Sequence, residues 1–263
     1  MKKLILLLAA VMVTTVGFTP PHDSDPIKAF DTGEWFKFRI HYGMFNASYA
    51  TLNVTNARYK GKPVYHIKGR GKSTGLLDLF FEVDDKYETY IDKETGAPYR
   101  FIRDIDEGGH TKDIVIDFDH EALTATINNK KRKKVSTEAI KPGTQDMVSA
   151  FYHLRNTVDT DNLNPGDEFI LPMFFDQENY DFKMKFLKRE VIKTKFGKIN
   201  ALEFRPYVQS GRVFEEEESL SVWISDDKNK IPLRIKAKLA VGSLTADLDA
   251  FKGLSHQFMK IVE

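Results

Sequence analysis

The stretch TQDMVSAFYHLRNTV, residues 144–158, decides how the rest of this chain is arranged. It is the only segment with a sustained helical period in a chain that otherwise consists of strand and turn patterns. Its apolar side chains recur at steps of four, three and four: Met147, Phe151, Leu154 and Val158. Such spacing places them along one side of a helix. We therefore expect one helix, capped by Thr144, whose apolar stripe lies on a sheet.

Strand patterns flank this helix on both sides, at about residues 34–128 and 167–251. The clearest is EWFKFRIHY, residues 34–42, in which Phe36, Phe38 and Ile40 alternate with cationic residues. Short, regularly spaced strands with turn residues between them argue for antiparallel pairing. The sequence predicts a mainly β protein, either an antiparallel open barrel or two curved sheets, with one amphipathic helix packed on the concave side.

We expect a single β-rich domain over residues 31–263, in which the helix joins two strand-rich halves, because no repeat and no low-complexity linker divides the chain. One segment interrupts the alternation. GLLDLFF, residues 75–81, is a compact apolar cluster that suits a short helix or a loop folded over the sheet.

The N-terminus has the pattern of a cleaved secretory signal. Lys2 and Lys3 precede an apolar run, and the small residues that follow allow cleavage after Gly17. We predict a signal peptide at residues 1–17, a tether at residues 18–30 and export to the periplasm; an uncleaved membrane anchor is the alternative. Cysteine is absent, so we expect neither disulfides nor a lipoprotein with a lipidated cysteine.

Charge excludes one class of partner and leaves another open. The formal net charge is +1, which gives no reason to expect nucleic acid. The densest basic run is KKRKK: Lys130, Lys131, Arg132, Lys133 and Lys134. It is typical of a solvated hairpin or a guarded strand edge, and it also suits contact with anionic lipid head groups or acidic glycans.

The chain is rich in aromatic residues, with 20 Phe and 12% Phe, Trp and Tyr together. Aromatic side chains fill cores by preference, so one interpretation is an ordinary filled core. The other is an apolar cavity enclosed by a curved sheet and the helix. The candidate ligand-binding residues of that cavity are Trp35, Phe80, Phe81, Phe151, Tyr152 and Trp223.

Catalytic motifs are weak. GKSTG, residues 71–75, matches the G-x-S-x-G pattern of hydrolases, but that motif acts on a strand-turn-helix in a parallel sheet, and here the surroundings are antiparallel. The histidines do not have metal-ligand spacing. We predict no catalytic residue, no metal and no cofactor. The alternative is an enzyme that acts on envelope glycans through two carboxylates among Glu34, Asp104 and Glu107.

Several pieces together resemble the exported bacterial proteins of domain-of-unknown-function family 3108. They are FRIHYG at residues 38–43, DKYETYID at 85–92, FIRDI at 101–105, EGG at 107–109, QDMVSAFYHLR at 145–155 and VWISDD at 222–227. This resemblance implies an exported envelope protein of unknown activity and supplies no catalytic residues. The turn at residues 223–234 is also similar to a hairpin of periplasmic lipoprotein carriers, whose open barrel holds acyl chains under a helical lid.

Together these observations favour a non-enzymatic envelope protein that binds a lipid or another apolar ligand between the sheet and the helix. Envelope compartments are rich in such ligands, and aromatic-lined cavities suit acyl chains.

Overall fold

The computed structural model describes residues 28–74, 82–207, 219–239 and 241–261. Within these ranges the chain forms fourteen strands and one α-helix. The strands are β1 (Trp35–Tyr42), β2 (Phe45–Tyr59), β3 (Lys62–Ser73), β4 (Val83–Asp92), β5 (Pro98–Glu107), β6 (His110–Asp119), β7 (Thr124–Asn129), β8 (Lys134–Ala139), β9 (Glu168–Phe175), β10 (Glu178–Thr194), β11 (Gly197–Tyr207), β12 (Leu220–Ser225), β13 (Pro232–Lys238) and β14 (Ser243–Lys252). The helix is α1 (Met147–Thr157).

All fourteen strands belong to one antiparallel sheet, in the order β8-β7-β6-β5-β4-β3-β2-β1-β14-β13-β12-β11-β10-β9. The two strand-rich halves meet where β1 pairs with β14, with Phe38 opposite Leu248. Strands β8 and β9 are the two edges, so the sheet is an open barrel. The predicted fold class is confirmed, and of its two forms the pair of separate sheets is wrong. Neighbouring strands are hydrogen-bonded without a break across this sheet, and its buried apolar residues form four clusters.

The chain between the two edge strands carries α1 and covers the gap between them. Just before the helix, Gln145 pairs with β9: its N–H donates to the Pro172 carbonyl over 2.9 Å, and its carbonyl accepts from Phe174 N–H over 2.9 Å. Across the gap, Asn179 Nδ2 donates to the carbonyl of Ala139 at the end of β8 over 2.7 Å. We call the face of the sheet that carries α1 the inner face.

The inner face of the first half packs directly on the helix. Phe30, Ile67 and Phe101 are among the buried residues that form one cluster with Val148 and Tyr152 of α1. The Phe30 ring meets the Tyr152 ring edge-on, with 4.6 Å between ring centres. This half of the barrel is therefore filled by side chains.

The helix begins three residues later than Thr144. Asp146 is the N-cap: its Oδ1 accepts from the N–H groups of Val148 and Ser149, both over 2.8 Å. Ser149 Oγ in return accepts from Asp146 N–H, which completes a capping box. Thr144 instead donates its hydroxyl to the Lys141 carbonyl. The prediction of a Thr144 cap is wrong because the intervening residue is extended and paired with β9.

Two further sequence features have defined places. The basic run forms the turn between β7 and β8, so its interpretation as a hairpin is confirmed. The predicted signal peptide, most of the tether and the segment at residues 75–81 lie outside the described residues. No helix in the described part of the chain is long and apolar enough to cross a membrane.

Candidate functional site

A cavity of about 510 Å³ lies between α1 and the second half of the sheet. Its volume falls within the range of about 300–1,000 Å³ that is typical of small-molecule sites. The wall is almost entirely apolar. The helix and its C-cap contribute Met147, Ala150, Phe151, Leu154 and Val158, and the sheet contributes Met173, Phe175, Phe182, Met184, Phe204, Leu220, Val222, Ile224, Pro232 and Ile235.

The apolar stripe predicted on the helix lines this cavity. Met147, Phe151 and Leu154 all face it. The side of α1 that packs into the core is a different one, with Val148 and Tyr152 buried. The sequence predicts that this stripe lies on the sheet. In the structure the other side of the helix faces the core, because Arg155 and the cap residue Asp146 have buried polar partners there.

Exposure changes along the cavity from one end to the other. Val158 is buried at the C-cap of α1, whereas Met147, the first residue of the helix, and Glu178 are exposed. Glu178 starts β10, directly after the turn that follows β9. In the described part of the chain, the cavity is therefore closed near the helix C-terminus and opens at the end of the barrel that carries the β9–β10 turn.

The position of the helix wall is fixed by Arg155, which is buried in the last turn of α1. Its guanidinium nitrogens donate to both carboxylate oxygens of Glu34 over 2.7 Å and to the Asn229 carbonyl over 2.8 Å. The same group lies 5.5 Å from the Phe36 ring centre and 5.3 Å from the Phe151 ring centre. A charge that is paired and surrounded by aromatic faces can remain ionised in an apolar interior.

Among the described residues, the cavity lining includes five with a polar or charged group: Arg155, Glu178, Tyr180, Tyr207 and Lys230. Lys230 lies at its closed end, where the ammonium donates to the Val158 carbonyl over 2.6 Å. Burial lowers the pKa of Lys230, and the carboxylates of Asp159 and Asp161 partly offset that effect. On the opposite wall, Tyr180 donates its hydroxyl to Met173 Sδ over 3.5 Å. An apolar wall with few polar groups favours an apolar ligand over one held by many hydrogen bonds.

The six candidate aromatic residues do not share one site. Phe151 lines the cavity, whereas Tyr152 is buried on the other side of the helix. The Lys252 ammonium lies over Trp35, 5.7 Å from the centre of the Trp35 ring, and Trp35 does not line the cavity. Phe80 and Phe81 lie outside the described residues.

Trp223 also faces away from the cavity. Its indole N–H donates to Glu190 Oε1 over 2.8 Å, while its neighbours Val222 and Ile224 line the wall. The expectation that Trp35 and Trp223 line the cavity is therefore wrong, because side chains alternate between the two faces of a strand. The same alternation could have identified Val222 and Ile224 from the sequence.

The three carboxylates proposed for a glycan-active enzyme have separate environments. Glu34 is fully buried and forms an ion pair with Arg155. Asp104 pairs with Lys86 at 3.4 Å on the surface. Glu107 lies beside Asp85, where burial and then the Glu107 charge raise the pKa of Asp85 to about 6.

A metal site is not evident either. Among the residues that the structure describes, His, Asp and Glu side chains do not form a group of three or more that could hold a metal ion.

Comparison with solved structures supports the open barrel. A β-barrel-like protein of domain-of-unknown-function family DUF1849 from Brucella abortus has a TM-score of 0.56 and 10% identity, over 86% of this chain and 99% of that chain. A protein with a YmcC-like fold from Bacteroides fragilis covers 85% of this chain and 97% of its own, at 9% identity and a TM-score of 0.37. Only the first, with its TM-score of 0.56, carries an argument, and at 10% identity that argument concerns the fold alone.

Comparison by sequence gives the family. No curated protein matches the chain. The model of the DUF3108 family, described as proteins of unknown function, matches residues 37–249, which span β1 to β14 and include the helix and every cavity wall. The resemblance drawn from the sequence is thereby confirmed, and this chain belongs to the DUF3108 family.

Proposed function

We propose that this protein binds a lipid or a lipid-like molecule with at least one acyl chain in the cavity beside α1. The observation that carries the proposal is the cavity itself, which has about 510 Å³ of space and a nearly continuous apolar wall. A well-packed core has few voids larger than a water molecule, so a space of this size and composition is suited to an occupant.

The physical driving force is burial of hydrocarbon. Each CH₂ group that moves from water into an apolar site contributes about 0.8 kcal/mol. Few polar groups face the space, so we expect the protein to select a class of apolar chain more strongly than a particular head group. The exposed residues at the open end, Met147 and Glu178, mark where a polar head would stay in water.

The cell envelope is the proposed location, from the signal-like N-terminus, and the proposed role is non-enzymatic. Hydrolysis of a glycan needs two carboxyl groups about 5–10 Å apart in a cleft. Glu34 is fully buried in its ion pair, so it is a poor candidate for one of them.

The first experiment is mass spectrometry of an organic extract from mature protein purified without detergent. A lipid present in stoichiometric amount is the expected result. Protein stripped of lipid is then titrated with the environment-sensitive probe N-phenyl-1-naphthylamine, and a fatty acid is added to displace it.

A matched pair of variants makes the titration specific. Val222→Trp fills the cavity from its wall, whereas Ser221→Trp places the same ring on the opposite face of the same strand. We expect V222W to weaken probe binding at least about tenfold, which corresponds to about 1.4 kcal/mol, and S221W to bind like the wild type. Clean extracts together with no probe binding, or equal binding by both variants, would refute the proposal.

A further inference from the structure

The two hairpin turns at the centre of the sheet expose an unusual amount of apolar surface. Met44 is 92% exposed, Val241 77% and Phe45 72%, the three largest values for bulky apolar side chains in the described part of the chain. Met44 and Phe45 belong to the β1–β2 hairpin, and Val241 lies in the turn between β13 and β14. Large apolar side chains that cluster on a surface mark an interaction site more often than scattered ones do.

These two turns are neighbours and are held together. Strands β1 and β14 pair directly, with Tyr42 opposite Leu244. Tyr42 donates its hydroxyl to the Val241 carbonyl over 2.9 Å. Its ring covers Gly242, where a Cβ would lie 2.5 Å from the hydroxyl oxygen, so the close contact requires glycine. We call Tyr42, Met44, Phe45, Val241 and Leu244 the apolar tip.

Exposed lysines flank the apolar tip on both sides. Lys72 is exposed near the end of β3, and Lys236 and Lys238 are exposed near the end of β13. The acidic group beside the tip, Asp247, is paired with His41 over 3.0 Å and with Arg234 over 2.6 Å. In the antiparallel order of the sheet, the basic turn at residues 130–133 is at the same end of the barrel.

We propose that the apolar tip inserts into the surface of an anionic lipid bilayer, with Lys236 and Lys238 against the head groups. Apolar side chains that enter the interface gain from burial of hydrocarbon, and each nearby Lys or Arg gains from the negative surface potential. The apolar side chains lie on and beside the two turns, and the two lysines lie on β13, which leads into one of them. Apolar and basic side chains next to each other are the combination that such a surface requires. The inference does not depend on whether the cavity holds a ligand.

The β9–β10 turn, where the cavity opens, lies at the same end of the antiparallel sheet as the apolar tip. A barrel docked through the tip therefore presents its cavity opening towards the bilayer rather than away from it.

The test is co-sedimentation of the purified mature chain with vesicles of phosphatidylethanolamine and phosphatidylglycerol, and with vesicles of phosphatidylcholine alone. The tip variant is M44S/V241S, which removes apolar surface without adding charge. Its control is I170S/V191S, which removes two exposed apolar side chains on β9 and β10, away from the tip. All four positions are exposed, so both variants are expected to fold, which circular dichroism checks.

The expected result is binding of the wild type to the anionic vesicles, weaker binding to phosphatidylcholine, and a loss of at least about tenfold in M44S/V241S but not in I170S/V191S. K236Q/K238Q should reduce binding to the anionic vesicles and its dependence on salt. The proposal is overturned if the wild type does not bind vesicles or if both serine variants bind equally. It is also overturned if sedimentation velocity shows a dimer that M44S/V241S separates while vesicle binding is absent.

Discussion

Arg155 and Glu34 form a bidentate ion pair in the interior of the barrel, with 2.7 Å between Nη1 and Oε1 and 2.7 Å between Nη2 and Oε2. The side chains are 2% and 0% exposed. Arg155 also donates to the carbonyls of Ala29 and Asn229. One side chain thus joins the end of α1 to the start of β1 and to the turn between β12 and β13, and thereby sets the helix wall of the cavity.

Replacement of Arg155 by Met is expected to destabilise the protein by about 3–5 kcal/mol, because it leaves the Glu34 carboxylate buried without its partner. Urea denaturation followed by circular dichroism measures the loss. The double variant E34Q/R155M removes both charges and is expected to be more stable than R155M alone. If the double variant is less stable than R155M, the pair contributes through packing rather than through compensation of a buried charge.

The helix cap gives a second stability prediction. Asp146→Ala removes the acceptor for two helix N–H groups and for the Thr89 hydroxyl, which lies 2.6 Å from Oδ2. We expect a loss of about 2 kcal/mol or more in the free energy of unfolding. Thr144→Ala removes one hydrogen bond and should cost about 1 kcal/mol. Equal losses in the two variants would contradict the assignment of Asp146 as the cap.

This pair also shows what the sequence could and could not predict. Thr and Asp are both good caps, and the sequence places them two residues apart. The choice between them depends on Gln145, which pairs with β9, a strand more than twenty residues further along the chain. A local pattern predicts that a helix exists, but a long-range pairing decides where it starts.

The candidate site also depends on both local and long-range contacts. The alternation in β1 and the apolar stripe on α1 are local patterns, and they predict a sheet with a helix on one face. Trp35 and Trp223 face away from the cavity, because successive side chains of a strand alternate between its two faces. Which side of α1 faces the core depends on Arg155, whose partner Glu34 is 121 residues away in sequence.

Two neighbouring aromatic residues of α1 should give opposite phenotypes. Phe151→Asp puts a charge into the apolar wall and is expected to abolish binding of the naphthylamine probe while the protein remains folded. Tyr152→Ala leaves a void under Phe30 and is expected to cost about 3–5 kcal/mol of stability. Thermal denaturation and probe titration of both variants test this. Unchanged binding by folded F151D would argue against the cavity as the binding site.

The pH dependence of stability has a predicted contribution from Asp85. Its pKa is raised to about 6 by burial and then by Glu107, whereas an unfolded Asp has a pKa of about 3.9. The folded state therefore holds the proton more tightly, so this group adds stability below about pH 4, and that stability is lost as the pH rises through about 6. Asp85→Asn removes this contribution.

Comparison of the wild type with D85N measures that effect together with the interaction between Asp85 and Glu107, because all other carboxyl groups keep their surroundings in both proteins. The stability of the wild type relative to D85N should fall between about pH 4 and about pH 6 and be constant above about pH 7. Urea denaturation at several pH values measures it. A relative stability that rises with pH would show that the Asp85 pKa is lowered rather than raised.

Asp176, in the β9–β10 turn, binds to the inner face of the first half of the sheet through two ion pairs. Its carboxylate accepts from Arg103 Nη1 over 2.5 Å and from Lys112 Nζ over 3.1 Å. Arg103 lies mostly buried on β5, so the pair is shielded from solvent. Asp176→Ala is expected to cost about 1.5–3 kcal/mol, since hydrogen bonds to charged groups in such surroundings are stronger than exposed ones.

The matched control is Asp104→Ala, which removes a solvent-exposed pair with Lys86 and should cost about 0–1 kcal/mol. Hydrogen exchange separates a local from a global effect. In D176A we expect faster exchange in β9 and the start of β10, next to the cavity opening, while β1 to β3 keep their protection. If exchange rises equally in all strands, the ion pair stabilises the whole barrel and does not specifically hold the rim of the cavity.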